Sequence, residues 1–167
     1  GTTVVTYVAT DGSGNDASAS FNVEVVGIAP VIVVPANITV NTDANECGAI
    51  VPFAARDATG IPNSVITYDI QPDSLFEVGT TTITATATNA VGTSILTFDV
   101  TVVDNVNPIA IAQNVVVQLD ASGNGSTTAA LVDNGSNDAC GIASLALSKT
   151  AFTCENIGEH TVTLTVT

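Results

Sequence analysis

Three kinds of residue in this chain could do chemistry: three cysteines, one histidine, and aspartates spaced with other oxygen-bearing side chains. Cys140 and Cys154 stand fourteen positions apart, in stretches that flank the apolar run Ile142 to Leu147. In an extracellular protein that arrangement favours a disulfide. Closing a loop of this size would contribute about 3 kcal/mol through the unfolded state. In a reducing compartment the same pair would be two core thiols. Cys47 has no second cysteine nearby and is expected to be a buried free thiol. No Cys-x-x-Cys pair or second histidine accompanies these residues, so zinc is not expected. His160 has no Ser or Cys beside it in a nucleophile motif, which argues against an enzyme.

The aspartates raise the possibility of a hard cation. Asp11-x-Ser13-x-Asn15 and Asp120-x-Ser122-x-Asn124 place oxygen side chains at alternate positions, as the first half of an EF-hand loop does. Neither has the bidentate Glu at the twelfth position, where the second loop has Leu131. Asp104 and Asn105, in the stretch Asp104-Asn-Val-Asn-Pro108, are somewhat like the calcium-binding linkers of cadherin arrays. Turn chemistry accounts for the same residues without a metal, because Asp and Asn favour turns in any case. Calcium and plain turns both stand as readings of these six positions.

What must position these groups is a repeat. Gly79 to Thr88 reads GTTTITATAT, and its counterparts are Gly1 to Thr10 (GTTVVTYVAT) and Gly158 to Thr167 (GEHTVTLTVT), spaced by 78 and 79 residues. A fixed period of this size indicates an array of small domains. Val5, Tyr7 and Ala9 share one face, matched by Ile83, Ala85, Ala87 and by Val162, Leu164, Val166. Such Thr-rich, period-two alternation predicts a strand buried on one side and wet on the other. His160 falls at the position of Thr3 and Thr81 on the wet face, so it is expected to be solvated.

In order, Thr10 to Asp16 joins the first strand to Ser20–Val26 as a hairpin. Gly27-Ile-Ala-Pro30 is a linker without acidic side chains, expected to rely on proline rigidity and apolar contact. Val31–Val34, Asn37–Thr42, Ala49–Phe53 and Val65–Ile70 are strand candidates, with Asp57 to Pro62 read as a turn. Phe76 to Gly79 leads into the Thr-rich strand. Its hairpin partner carries Phe98, Val100 and Val102, which match Phe21, Val23 and Val25. Val115–Leu119 matches Ile38–Thr42, and Asn124-Gly125 is read as the positive-φ step of a hairpin turn. About seven short strands per repeat without helical periodicity predict an all-β, immunoglobulin-like Greek-key sandwich. The expected divisions are a C-terminal hairpin at 1–29, a complete repeat at 30–106, and a repeat at 107–167 lacking its last strand. The chain is expected to continue in both directions.

Composition narrows the partners. Sixteen acidic residues face one Arg (Arg56) and one Lys (Lys149), for a net charge of −14. Nucleic-acid binding requires a basic footprint that is missing here, and anionic membrane surfaces are disfavoured for the same reason. No apolar run reaches the ~18 residues needed to cross a bilayer, so direct membrane insertion is not expected. The scarcity of Lys and Arg leaves trypsin-like proteases little to cut.

Pro35-Ala-Asn-Ile-Thr-Val, Phe-x-Val-Gly-Thr-Thr-Thr, Ala-Thr-Asp-Gly-Ser-Gly-Asn and Ser-Phe-Asn-Val-Glu-Val together resemble the hyalin-repeat (HYR) domain. Asp138-Ala-Cys-Gly-Ile and Ser148-Lys-Thr-Ala-Phe-Thr-Cys154 resemble repeats of giant surface adhesins of gliding bacteria. The resemblance implies an extracellular, cell-surface setting and a non-catalytic role in an adhesive stalk. Its partners would be neighbouring repeats and an extracellular surface or polysaccharide. A spacer or carbohydrate-binding module attached to an exported enzyme is the alternative, with Tyr68 the one aromatic placed to stack on a sugar. The cysteine that relatives often carry before the Ser-Phe of the last strand is Ala19 here, and Leu96 or Thr97 in the middle repeat. Asp73-Ser74-Leu75 resembles an O-glycosylation motif of the same bacterial group, with Ser74 the acceptor. Asn37, Asn124 and Asn134 form N-x-Ser/Thr sequons.

Overall fold

The computed structural model describes residues 1–167. Its strands in chain order are β1 (Thr2–Thr10), β2 (Asp16–Glu24), β3 (Ile32–Val33), β4 (Ile38–Asn41) and β5 (Gly48–Val51). They continue with β6 (Arg56–Asp57), β7 (Val65–Tyr68), β8 (Ser74–Glu77), β9 (Gly79–Thr88) and β10 (Thr93–Val103). The last four are β11 (Asn124–Ser126), β12 (Leu145–Leu147), β13 (Ala151–Thr153) and β14 (Leu164–Val166). One α-helical turn at Ala129–Val132 and a 3-10 turn at Cys154–Asn156 are the only helical elements. The fold is all-β and sandwich-like, of immunoglobulin type, and its four-stranded sheet has the order β4-β10-β9-β7.

Alternation produces the centre as the sequence predicts. Ile83, Ala85 and Ala87 on β9 are fully buried, while the threonines between them keep contact with solvent. Phe98, Val100 and Val102 on β10 are buried in the same way. Small alanines on β9 let the opposing layer approach, which is how a core without Trp or Met closes tightly.

By its contacts the chain divides into two compact units. The first comprises Gly1–Ala36, Phe53–Gln71 and Thr82–Phe98. In it Ile32 packs with Ala85 and Ala87, surrounded by Val34, Ala55, Ile66 and Tyr68. Phe53 lies edge-on to both Tyr68 and Phe98, with ring centroids 5.3 and 5.1 Å away. The second comprises Asn37–Pro52, Pro72–Thr81 and Asp99–Thr167. In it β4 runs parallel to β10, β5 pairs antiparallel with β8, and Ala49, Val51, Phe76, Val100 and Val102 are buried. The pairs β11–β13 and β12–β14 lie in this unit too.

Four expectations differ from the structure. The β1–β2 hairpin forms in full register from Thr2↔Glu24 to Thr10↔Asp16, yet its apolar face is open. Tyr7 is 69% exposed and Phe21 56%, and β1 and β2 form a two-stranded sheet of their own. Val115–Leu119 forms no strand, whereas its counterpart β4 pairs with β10. Asp57 is not only a turn residue but ends β6, which pairs with β3. In the Asp120 loop the positive φ belongs to Gly123 (79°) rather than to Asn124-Gly125. The Asp11 loop does the same at Gly14 (86°), so Asp-x-Ser-Gly-Asn is one turn used twice.

Candidate functional site

Some of the chemistry-bearing residues gather at the two linkers, and each linker with its contacts lies within a single compact unit. At the first, Ile28 makes a two-way backbone bridge with Ile61: the Ile28 amide donates to Ile61 O at 2.8 Å, and the Ile61 amide to Ile28 O at 3.0 Å. Asn89, at the tip of the β9–β10 hairpin, completes the joint. Its amide Nδ2 donates to Ile28 O and to Pro62 O, both at 2.8 Å. Its Oδ1 accepts the Val91 and Gly92 amides at 2.9 and 3.1 Å. Two acceptors on one side and two donors on the other fix which end of the amide is which. Gly27 is required by close approach: a Cβ there would lie 2.5 Å from Ile61 O and 2.6 Å from Val91 Cγ2. The expected reliance on proline and apolar contact is thus replaced by a hydrogen-bonded clasp. A signal existed in the sequence, since Asn89 occupies the position of Asp11, and only an amide can donate.

Beside this clasp, Asp57 organises the turn that presents Ile61. Its carboxylate accepts the Ser64 hydroxyl at 2.7 Å and the Gly60 and Thr59 amides at 2.9 and 3.0 Å. These bonds, the Ser64 hydroxyl foremost, pull its pKa down to about 2, because each favours the ionised form.

The second junction is fastened covalently. Cys47, in the loop before β5, forms a disulfide with Cys140, 93 positions away, and their Cα atoms are 4.6 Å apart. This overturns both cysteine expectations. Cys140 does not pair with Cys154, and Cys47 is not free. Cys154 is instead an exposed thiol whose Sγ lies 3.8 Å from Gly123 O. The reason lies in register. Matching β12–β14 to β7–β9 places Cys140 at the position of Ile61, the residue that meets the linker in the preceding repeat. The partner therefore had to be sought in the neighbouring repeat, not within the same one.

Near Cys140 lies a small acidic cleft of about 90 Å³, lined by Asp43, Glu46, Asp104 and Asp138 with Asn45 and Asn107. Carboxylate oxygens of Asp104 and Asp138 approach within 4.8 Å of one another. Asp104 accepts the Val106 amide at 2.9 Å and Asp138 the Cys140 amide at 2.7 Å. The second oxygen of Asp138 is buried without a hydrogen-bond partner. Cys140 Sγ is committed to its disulfide, which leaves oxygen donors suited to a hard cation and not to zinc.

The other candidate metal residues are not gathered. Asp11 Oδ1 accepts the Ser13 and Asn15 amides, Oδ2 accepts Asn15 Nδ2, and these bonds lower its pKa, the Asn15 side chain most. Asp120 Oδ1 accepts the Ser122 and Asn124 amides in the same pattern. Asn105 donates to Asn41 Oδ1 at 2.7 Å. Asp138 is a loop carboxylate that the junction brings to Asp104, and no spacing in the sequence singles it out.

His160 is exposed, with Nε2 3.0 Å from Asn156 O. Ser74 sits at the start of β8, opposite Val51, after Asp73 at φ 59°. Tyr68 faces the core, and its hydroxyl accepts the Ala55 amide at 2.6 Å, so it offers no ring to a sugar.

Residues 28–102 match the HYR domain family, a span that opens on Ile28 of the first clasp. Over that span the middle repeat is similar to the HYR domain family. Hyalin from Strongylocentrotus purpuratus is 30% identical over 179 residues, covering 100% of this chain and 15% of that protein. Hyalin from Lytechinus variegatus is 36% identical over 118 residues, covering 65% of this chain and 22% of that protein. The chain therefore spans less than a quarter of the length of either hyalin. No solved structure matches it significantly. Both joints bear on this HYR-like span: Ile28 and Asn89 hold its entry, and Cys47 ties it to the segment that follows.

Proposed function

We propose that the chain is a non-catalytic stalk segment of a long, secreted cell-surface adhesin. The observation that carries this reading is the Cys47–Cys140 disulfide, which joins the HYR-like span to the next repeat. Crosslinks of this kind persist in oxidising compartments, which supports an extracellular setting. A stalk transmits force, and fastening each joint by a clasp or a disulfide supports that task. The HYR match and the hyalin relatives support adhesion as the wider role. The likeness of the Asp138 to Cys154 stretch to giant adhesins of gliding bacteria supports a filament of many repeats. The partners are then neighbouring repeats and an extracellular surface or polysaccharide. Ser74 is the proposed glycan acceptor. Calcium is proposed at Asp104 and Asp138, held by oxygen ligands of the acidic cleft. The carbohydrate-binding alternative loses its aromatic, since Tyr68 is packed inward.

Antibody against the chain tests the placement. Labelling of intact, unpermeabilised cells is expected, together with retention of chain-coated beads on a polysaccharide surface under flow. Labelling only after permeabilisation would overturn the surface reading, and bead loss at the rate of uncoated controls would overturn adhesion by this segment.

A further inference from the structure

We infer that the Cys47–Cys140 disulfide is a length lock, which takes the core of the HYR-like span out of the path of tension. Force applied along the chain reaches Cys47, crosses the sulfur–sulfur bond, and leaves through Cys140. The segment between them, whose ends are 93 positions apart in sequence, is bypassed because those ends are fixed at a Cα separation of 4.6 Å. Stretched taut, that segment would otherwise add about 300 Å.

The contents of the bypassed segment give the lock its consequence. It holds β5 to β10, the second linker, β11 and the Ala129–Val132 turn. Of the buried apolar residues, all but Ile32 lie inside it. If the HYR-like span opens under load, its chain beyond Cys47 cannot pay out, and refolding of that part begins from ends still held together. The linker from Asp104 to Pro108 cannot be drawn straight either, so the junction cannot be pulled apart without breaking a covalent bond. The clasp at Ile28, Ile61 and Asn89 lacks this property, since hydrogen bonds alone hold it. Two adjacent joints thus differ in kind: one yields, the other is limited in extension. The value of such a lock to a fibre rests on the stalk reading. The lock itself does not, and its test is independent of where the protein resides.

Opening the lock requires two electrons and two protons. A dithiol such as dithiothreitol supplies both, its two thiols closing to a cyclic disulfide as Cys47 and Cys140 become thiols. Single-molecule force spectroscopy on the whole chain, held at Gly1 and Thr167, reads the result directly. The oxidised chain is expected to reach a final contour of about 250 Å and the reduced chain about 550 Å, at ~3.3 Å per residue. Replacing Cys47→Ser and Cys154→Ser together should give the longer value without reductant, and Cys154→Ser alone should leave the oxidised value unchanged. Final contour reports connectivity whether or not a variant folds. A gain of about 50 Å on reduction, the length that a Cys140–Cys154 bond would hide, would overturn the proposal. So would no gain at all.

Discussion

Replacing Asn89 by Asp tests the clasp at its most informative atom. Aspartate is the residue at the equivalent position of the first hairpin, Asp11, so the substitution keeps shape and respects the loop's own chemistry. The acceptor side survives, because a carboxylate still accepts the Val91 and Gly92 amides. The donor side is lost. Where Nδ2 gave hydrogen bonds to Ile28 O and Pro62 O, an anionic oxygen would face two carbonyls at about 2.8 Å. Two bonds at about 1 kcal/mol each, with added repulsion in a half-buried site, predict a loss of about 2–3 kcal/mol. For a chain of this length that lowers Tm by roughly 5–10 °C. The sign with pH is opposite to most carboxylates. An Asp facing carbonyl oxygens has its folded-state pKa raised, so the penalty is full above that pKa and relieved as acid protonates the group. Urea midpoints of wild type and Asn89→Asp, compared at pH 7 and near pH 4, measure both effects. Equal midpoints at pH 7, or a deficit that does not shrink on acidification, would refute the clasp.

Removing the second joint should cost more. In a Cys154→Ala background, replacing Cys47 and Cys140 by Ala is expected to lower unfolding free energy by about 4.5 kcal/mol, from the entropy of closing a 93-residue loop. A loss under about 1 kcal/mol in urea titrations would show that the crosslink does not restrain the unfolded chain as argued. Asp57 predicts an acid transition. Its pKa falls from 3.8 in the free state to about 2 when folded, so its stabilisation is complete above about 4 and disappears as pH drops through about 2. Melting scans across that window should show a slope that Asp57→Asn flattens, and an unchanged slope would assign the acid sensitivity elsewhere. Calcium titrated to about 1 mM, a range typical of extracellular modules, should shift NMR signals of Asp104 and Asp138 and leave those of Asp11 and Asp120 in place. Shifts confined to the two turn loops would reverse that assignment, and silence at all four positions would remove calcium from the account.

Fold and junctions differed in how far the sequence revealed them. The period-two pattern of Ile83, Ala85 and Ala87 identified β9 and its buried face, because alternation is local and backbone geometry enforces it. The hairpin β1–β2 was legible in pairing and not in burial, since a strand's face is covered only by strands from elsewhere. Val115–Leu119 fails for the same reason: it has a strand's composition and lacks the ladder partner that β10 gives β4. The turn reading of the Asp-x-Ser-Gly-Asn loops was available because each Asp caps amides two and four residues ahead. The disulfide was not. Spacing within a repeat favoured Cys154, fourteen residues from Cys140, whereas contact across a repeat boundary is fixed by tertiary register. Asp138 was missed on the same ground, being brought to Asp104 by the junction and not by sequence proximity.

Two positions therefore specify how one repeat joins the next. The first is the hairpin-tip residue, Asp11 in one copy and Asn89 in the other. With Asp the side chain serves its own loop, and with Asn its free amide hydrogens reach the incoming linker. The second is the loop position held by Ile61 and Cys140. With Ile the backbone alone bridges the linker, and with Cys the side chain bonds to Cys47 of the preceding repeat. Neither change disturbs the strands, because both residues lie beyond strand ends at the junction. Joint strength can thus vary along an array while the sandwich stays constant. A copy with Asn at the tip and Ile in the loop makes a joint that separates when a few hydrogen bonds break. A Cys in that loop, facing a Cys before β5 in the preceding copy, makes a joint whose reach the covalent bond limits.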